Sequence, residues 1–243
     1  MLQTVDRIMK IVEVFISNEP NRYLSITEIA KQTNLPLSSL HRILQAMIKH
    51  KMIKQDKDRK LYTLGTIWLE YGLKIYDTMD YVSHVRPELE NLMKTVNSSV
   101  YLSRPDEEDS IIIERIDCVS QTIRTYDKIG LRVPFHKGIA NLAMLANMEE
   151  DDQQKIKENL KVDWREREEQ LQKVREQGYA IGEDEWSSDV ITIATPIVNH
   201  YRKVVGAVSV KLAKSNEEEA YNDVIKELID TGNKISWKLD YHH

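Results

Sequence analysis

SITEIAKQTNLPLSSLHRILQAMIKHKMIKQDKDRKLYTLG, residues 25–65, predicts two helices joined by a short turn and followed by a two-stranded hairpin. Ser25 and Glu28 have the spacing of a capping box, in which each side chain satisfies a free backbone N–H at the start of a helix. Asn34 ends that helix, and Pro36 fits the first turn of the next one because its missing N–H costs nothing there. Helix, turn, helix and hairpin in this order form the winged-helix arrangement.

The second of these helices is amphipathic. Its apolar residues recur at helical spacing, at Leu37, Leu40, Leu44, Met47 and Ile48. The opposite face carries Ser38, Arg42, Gln45 and Lys49. These side chains supply hydroxyl, guanidinium, amide and ammonium groups, which contact phosphates and base edges in DNA. The pattern therefore favours recognition of a DNA duplex over a solvated surface or a helical bundle that binds no nucleic acid.

The charge distribution agrees with that interpretation. Residues 1–66 hold 11 Lys and Arg against 6 Asp and Glu, a net charge of +5, whereas residues 67–243 hold 23 against 33, a net charge of −10. In a protein that is otherwise acidic, a polyanion such as DNA binds to the basic segment. We expect the DNA contacts to come from Ser38, Ser39, His41, Arg42, Gln45 and Lys49 of the second helix and from Lys54, Lys57, Arg59 and Lys60 of the hairpin.

The composition is that of a folded protein of one large or two ordinary domains, with 243 residues, 41% hydrophobic and 30% charged. No apolar run approaches the ~20 residues that span a bilayer, and the N-terminal residues do not resemble a signal peptide. Cys118 is the single cysteine, which suits a reducing compartment. We expect a cytoplasmic protein without a membrane partner.

The remaining chain alternates helical and strand patterns, which predicts an α+β fold. We expect helices at 3–17, 66–78, 81–96, 138–147 and 216–239, the last with Ala220, Val224, Leu228 and Ile235 inward. A charged segment at 149–177 is predicted as a solvated helix surface that Gly178 ends. Strands are expected at 100–102, 110–116, 122–126, 131–133, 190–198 and 204–212.

Two of these strands indicate a ligand site. Strand alternation places Ser209 and Lys211 side by side on one face, and Thr192 lies on the small-residue face of the other strand. Such a face predicts a pocket for a small polar ligand, and an ammonium group favours an anion through charge-assisted hydrogen bonds. The alternative is that these faces meet solvent.

The sequence contains little evidence for a catalytic or metal-binding motif. No nucleotide-binding loop, nucleophile elbow or metal-ligand spacing occurs, and Cys118 has no histidine at a motif spacing. His136 fits a satisfied structural histidine better than a catalytic base. We expect no cofactor, no metal and no catalytic residue.

Nearly the whole chain resembles the isocitrate lyase regulator (IclR) family of bacterial transcription factors. The resemblance lies in TVDRIMKIVEVF, in the winged-helix stretch quoted above, and in RVPFHKGIANLAMLA, REQGYAIGEDEWSSDVITIATPIV and VVGAVSV. It implies an N-terminal winged helix-turn-helix at 1–66, a linker helix at 67–80 and a C-terminal GAF/PAS-like effector domain at 81–241. It also implies a homodimer or dimer of dimers on a double-stranded operator.

The family's effector pocket maps onto individual positions of this chain. The resemblance implies Ile139, Ala140, Glu183, Thr192, Ser209 and Lys211 as effector-binding residues. Three positions depart from the family: Gly182 replaces a common acidic residue, Asn141-Leu142 replaces Gly-Lys, and Lys211 replaces a small polar residue. The added positive charge predicts a small anionic effector, an organic or sugar acid.

The predicted function is a ligand-responsive transcriptional regulator, and we expect a repressor. One rival is an enzyme that acts on a small acid and carries an appended winged helix. Another is a protein-interaction module whose winged helix contacts protein. A steep salt dependence of duplex binding separates the last from a DNA-binding protein, because phosphate contacts release counterions.

Arg42→Ala should weaken binding to a duplex selected by the wild-type chain by roughly 1–3 kcal/mol if Arg42 reads a guanine edge. Fluorescence anisotropy on the selected duplex and on a scrambled one measures both affinities. An equal loss on the two duplexes would show that Arg42 contacts phosphate only.

Overall fold

The structure is a computed structural model that describes residues 3–18, 22–120, 127–160, 162–215 and 218–240. The chain divides into two compact units, residues 1–80 and 81–243. None of the helices in the described part of the chain is long and apolar enough to cross a membrane.

The first unit contains four helices and a small antiparallel sheet. Its elements are α1 (Gln3–Ser17), β1 (Leu24–Ser25), α2 (Ile26–Thr33), α3 (Leu37–Lys49), β2 (Ile53–Asp56), β3 (Leu61–Leu64) and α4 (Ile67–Asp77). The three strands lie in the order β1-β3-β2. The predicted winged helix-turn-helix is therefore confirmed.

Local chemistry sets the boundaries of α2 and α3. The backbone N–H of Glu28 donates to the Ser25 hydroxyl at 3.3 Å, and the backbone N–H of Ser25 donates to the Glu28 carboxylate at 2.7 Å, which completes the predicted capping box. Asn34 ends α2 in the left-handed conformation at φ 57°. Pro36 precedes α3 as its cap residue, one position before the expected first turn.

The core of the first unit forms where apolar faces meet. Leu40, Leu44 and Met47 of α3 are buried against Ile11 and Phe15 of α1. The predicted apolar stripe of α3 thus supplies the core, except that Leu37 is 52% exposed at the start of the helix. The polar stripe of the same helix consequently faces outward.

Helix α4 has no buried residue, although Trp68 at its start packs against this core. The indole N–H of Trp68 donates to the Met52 carbonyl at 2.8 Å and fixes the start of the helix to the hairpin. Beyond Trp68 the helix exposes large apolar side chains, namely Leu69, Tyr71, Leu73, Ile75 and Tyr76. The expected role of this segment as a linker helix and dimer contact stays a prediction.

The second unit is a six-stranded antiparallel sheet with helices on both faces. Its elements are α5 (Asp80–Val96), β4 (Val100–Asp106), β5 (Asp109–Ile116), β6 (Arg132–Pro134), α6 (Ile139–Asn147), α7 (Glu150–Leu160), α8 (Arg165–Gln177), β7 (Ala180–Asp184), β8 (Ser187–Val198), β9 (Val204–Ala213), a 3-10 turn (Glu218–Tyr221) and α9 (Asn222–Asp240). The strand order is β6-β5-β4-β9-β8-β7. This arrangement confirms the predicted α+β class.

Alternation along the central strands assigns each face of the sheet to different helices. Ile193 and Val210 pack in one cluster with apolar residues of α5 and α9. Ala194 and Ala207 pack in the other cluster with α6, α7 and α8. Because the second face is built from small residues, it leaves room for a pocket beside the start of α6.

The predicted strand 122–126 lies outside the described residues and stays a prediction. The structure differs from the sequence expectations elsewhere. Strand β7 was not predicted, because AIGED contains glycine and two carboxylates and few strand-forming residues. The charged segment 149–177 forms two helices, and α8 begins where Asp163 accepts the backbone N–H of Arg165. Ala220 is exposed in the 3-10 turn, not inward on a helix.

Gly65→Ala should destabilise the first unit, because an added Cβ would lie 1.9 Å from the Lys51 carbonyl oxygen. We expect a loss of about 2–3 kcal/mol, at the upper end of ordinary substitutions. Gly72→Ala is the matched control, since no atom lies within 4 Å of the added Cβ and alanine favours the helix. Differential scanning calorimetry of the full chain measures both, and equal melting profiles would contradict the clash.

Candidate functional site

A pocket that contains several polar side chains opens on the small-residue face of the sheet in the second unit, and its empty space of about 500 Å³ includes open solvent at the mouth. Strands β4, β5, β6, β7, β8 and β9 and the first turn of α6 line it. The structure brings together in it all six predicted effector residues, Ile139, Ala140, Glu183, Thr192, Ser209 and Lys211. Thr192, Ser209 and Lys211 are 4–5% exposed, so the alternative that these faces meet solvent is wrong.

Strand register explains why these side chains converge. Thr192 of β8 is the cross-strand partner of Lys211 of β9, and Ser209 of β9 pairs with Tyr101 of β4. Cross-strand partners project side by side on the same face of a sheet. Three strands therefore deliver one polar row to the pocket floor.

Two buried carboxylates hold the ammonium of Lys211. Its Nζ forms ion pairs with Asp127 and Asp184, and the three side chains are 6%, 6% and 9% exposed. Asp184 also accepts the Thr192 hydroxyl at 3.2 Å and the backbone N–H of Trp186 at 3.0 Å. Neither aspartate was predicted from the sequence, since Asp127 comes from the connection before β6 and Asp184 from the unpredicted strand β7.

The protonation of Lys211 follows from this cluster. Burial lowers the pKa of the ammonium, but the charges and hydrogen bonds of Asp127 and Asp184 outweigh burial, so the pKa is raised above its ordinary value. Lys211 is therefore a buried, permanently charged group near neutral pH.

The sequence argument for an anionic ligand assumed that this charge is available, and that premise is wrong. The charge is already balanced within the protein. Among the described residues that line the pocket, Lys211 is the one cation beside four carboxylates, Asp127, Glu183, Asp184 and Glu185, which gives a net charge of −3. An acid that binds here must take the place of a carboxylate.

Asn141 supplies a second buried polar group, in the first turn of α6. Its Nδ2 donates to the Val133 carbonyl at 2.9 Å and to the Pro134 carbonyl at 3.0 Å. The side chain is 1% exposed, and its Oδ1 has no hydrogen-bond partner among the described residues. The two carbonyl acceptors decide which end of the amide is the donor.

The mouth of the pocket is formed by β7 and the start of α6. The backbone N–H of Gly138 donates to the Glu185 carboxylate at 2.7 Å. Glu183 is exposed and forms an ion pair with Lys214, so it lies at the rim. An added Cβ at Gly182 would lie 2.6 Å from Cδ1 of Ile139, so a larger residue there requires the end of the Ile139 side chain to shift. The family's acidic side chain therefore cannot occupy position 182 with Ile139 in this position.

The candidate DNA interface lies on the first unit. Nine of the ten predicted residues are exposed and Ser39 is half-buried, the exposed ones being Ser38, His41, Arg42, Gln45, Lys49, Lys54, Lys57, Arg59 and Lys60. The hairpin turn is ordered by Asp56, whose carboxylate accepts the backbone N–H groups of Asp58 and Arg59. The exposed side of α3 is therefore available to a duplex.

The structure shows the surroundings of His136 and Cys118, the two residues that the sequence analysis considered for catalysis. His136 is not fully satisfied, since its Nδ1 is buried without a partner among the described residues. Burial, with the nearby charges of Lys137 and Arg167, lowers the pKa of His136 and favours the neutral ring. Cys118 is buried, with its Sγ 3.1 Å from the Ser120 hydroxyl and 3.4 Å from the side-chain Oδ1 of Asn97.

Comparison with known proteins gives consistent results for both units. A family model described as "Bacterial transcriptional regulator IclR C-terminal" matches residues 73–237, and one described as "IclR helix-turn-helix domain" matches residues 4–57. The HTH-type transcriptional regulator KipR of Bacillus subtilis is 26% identical over 249 residues, which cover 98% of each chain.

Solved structures share the fold. An IclR transcriptional regulator from Alicyclobacillus acidocaldarius superposes with a TM-score of 0.79 at 21% identity, covering 98% of this chain and 99% of the other. An IclR homologue of Microbacterium hydrocarbonoxydans, complexed with 4-hydroxybenzoate, has a TM-score of 0.80 at 18% identity, covering 97% and 98%.

Lys211→Met should leave Asp127 and Asp184 buried without a cation, at a cost on the order of 3–5 kcal/mol at neutral pH. Thermal melts of the variant and the wild type at pH 8 should show this loss as a lower melting temperature of the variant.

Lys214→Met is the matched control for that measurement, because its pair with Glu183 is solvent-exposed and should matter little. A Lys211→Met variant as stable as the wild type at pH 8 would show that the cluster is not a buried ionic group.

Proposed function

Because this chain belongs to the IclR family of bacterial transcriptional regulators, we propose that an acid bound beside Lys211 controls how its winged helix binds an operator. The protein is an HTH-type transcriptional regulator with a ligand-binding C-terminal domain. The observation that carries the effector proposal is the buried ammonium of Lys211 in a pocket that also contains the five other predicted residues. We further propose that it acts as a repressor in the cytoplasm.

The proposed division of labour follows the two units. Residues 1–66 bind double-stranded DNA, residues 67–80 form a linker helix, and residues 81–241 bind the effector. Arg42 and Gln45 contact base edges, and the basic hairpin contacts phosphates. The exposure of these residues and the basic charge of the first 66 residues support this assignment.

The proposed binding step is an exchange of carboxylates on Lys211. Asp184 is held by Thr192 and the Trp186 backbone N–H in addition to Lys211. Asp127 is therefore the carboxylate that an incoming acid replaces, and the exchange keeps the ammonium paired throughout. That an IclR homologue is complexed with 4-hydroxybenzoate, an acid, supports a carboxylate ligand in this fold.

The proposed coupling to DNA is a shift between two arrangements of a homodimer or a dimer of dimers. A ligand that binds one arrangement more tightly populates it, by no more than its difference in affinity. Two recognition helices reading half-sites about one helical turn apart tolerate little change in spacing. A small acid therefore changes operator affinity without contacting DNA.

The second candidate function is an enzyme that converts a small acid in the same pocket. The relatives are transcriptional regulators, which favours binding without conversion. Incubation with any acid that binds, followed by mass spectrometry of the recovered ligand, distinguishes the two. Detection of a converted product would overturn the proposal that the chain is not an enzyme.

Asp127→Asn should raise the affinity for a bound acid about tenfold, equivalent to ~1.4 kcal/mol, because the ligand no longer competes with an internal carboxylate. Calorimetric titration with the best ligand from a panel of benzoate, hexanoate and gluconate measures the effect. Asp151→Asn, on an exposed position of α7, is the control for net charge. Unchanged or weaker binding by Asp127→Asn would rule out the exchange at Lys211.

A further inference from the structure

Leu37 is the first residue of helix α3, and it does not share the core position of the apolar stripe to which its spacing assigns it. Leu40, Leu44 and Met47 of that stripe are at most 1% exposed, whereas Leu37 is 52% exposed. Leu35, two residues earlier, packs against the core of the first unit. About half of the Leu37 side chain thus remains open to a partner.

We infer that Leu37 contacts the C5 methyl group of a thymine in the major groove and so helps to set which base sequence the first unit binds. The inference rests on the proposed function, since it assumes that α3 enters a groove of the duplex. All the residues expected so far to contact DNA are polar or charged, so Leu37 would supply a contact of a different kind.

The first argument is the place of Leu37 in the helix. The backbone N–H of Leu40 donates to the Pro36 carbonyl at 2.9 Å, so the first turn of α3 is regular and its side chains have fixed directions. In a recognition helix the residues near the N-terminus contact base edges, and the Cα–Cβ bonds of a helix tilt towards that end. Leu37 therefore projects at the end of α3 that reaches the bases.

The second argument is the set of side chains beside Leu37. His41 lies four residues further along α3, so the two side chains are neighbours on one helix face. Ser38 follows Leu37 directly in the chain. Ser38 and His41 are both exposed, and both are among the residues expected to contact DNA. A duplex that covers these polar groups also covers Leu37.

The third argument is chemical complementarity. A leucine side chain has no donor and no acceptor, so it gains nothing from a phosphate and would leave a base-edge donor or acceptor without a partner. The thymine methyl is the apolar group that base edges present in the major groove, and apolar side chains contact it. Because removal of both apolar surfaces from water is favourable, Leu37 favours an A·T pair at its position in the site.

Replacement of thymine by deoxyuridine tests the inference, because the two bases pair identically and differ only in the C5 methyl group. The wild-type full chain first selects its preferred duplex from a random pool, and each thymine of that duplex is then replaced in turn. Fluorescence anisotropy gives the dissociation constants. We expect at least one replacement to weaken wild-type binding about fourfold, the factor that burial of one methylene-sized group contributes.

Leu37→Ala should remove this discrimination, because the shorter side chain no longer reaches the methyl group. The variant should bind the thymine and deoxyuridine duplexes with nearly equal affinity. Leu69→Ala is the matched control, since Leu69 is a leucine of similar exposure, 63%, on helix α4. We expect the control to keep the wild-type ratio of the two affinities whatever its effect on binding overall.

The outcomes separate the inference from the function on which it rests. Failure of the wild type to select any duplex would overturn the proposed DNA binding itself. A selected duplex in which no thymine replacement weakens binding, or a site of G·C pairs alone, would overturn the inference and leave DNA binding standing.

Two further results would remove Leu37 from the contact. A loss on thymine replacement that persists in Leu37→Ala would assign the methyl group to another residue. An equal loss by Leu37→Ala on both duplexes, relative to the wild type, would show that the leucine supports the fold or contacts a second copy of the chain.

Discussion

The ammonium of Lys211 stays charged inside the second unit because Asp127 and Asp184 pair with it there. Without these partners, a buried ammonium would lose its proton or expose itself to water. The cluster connects three separate parts of the chain, namely β9, β7 and the connection before β6. It therefore orders the pocket and leaves the ammonium already paired within the protein.

The pocket exists because one face of the sheet carries small side chains. Ala194 and Ala207 allow α6 to approach the strands closely, and the residues that continue the same face, Thr192 and Ser209, supply polar groups. The opposite face carries branched apolar residues and packs against α5 and α9. A single alternating pattern thus builds a core on one side and a site on the other. Helix α3 is built in the same way, because its apolar stripe packs inward and its polar stripe remains exposed and available to DNA.

Sequence reasoning was strongest where a local rule decides the outcome. The capping box at Ser25 and Glu28, the left-handed residue at Asn34 and the C-terminal cap at Gly178 formed as predicted. Sequence reasoning was weakest where a residue distant in the sequence decides the local structure. Strand β7 is defined by its pairing with β8, and the end of the Ile139 side chain packs against its glycine. Its own residues carry little strand signal.

The sequence by itself determined the winged helix, the α+β class and the polar face that bears Thr192, Ser209 and Lys211, since all of these follow from residue spacing within elements and from the order of the elements along the chain. Only the tertiary structure decided what that face means chemically. Asp127 and Asp184 reach Lys211 from positions 84 and 27 residues away in the chain. The charge of a buried lysine depends on what surrounds it in space, and no periodicity records which distant carboxylates the fold brings within reach.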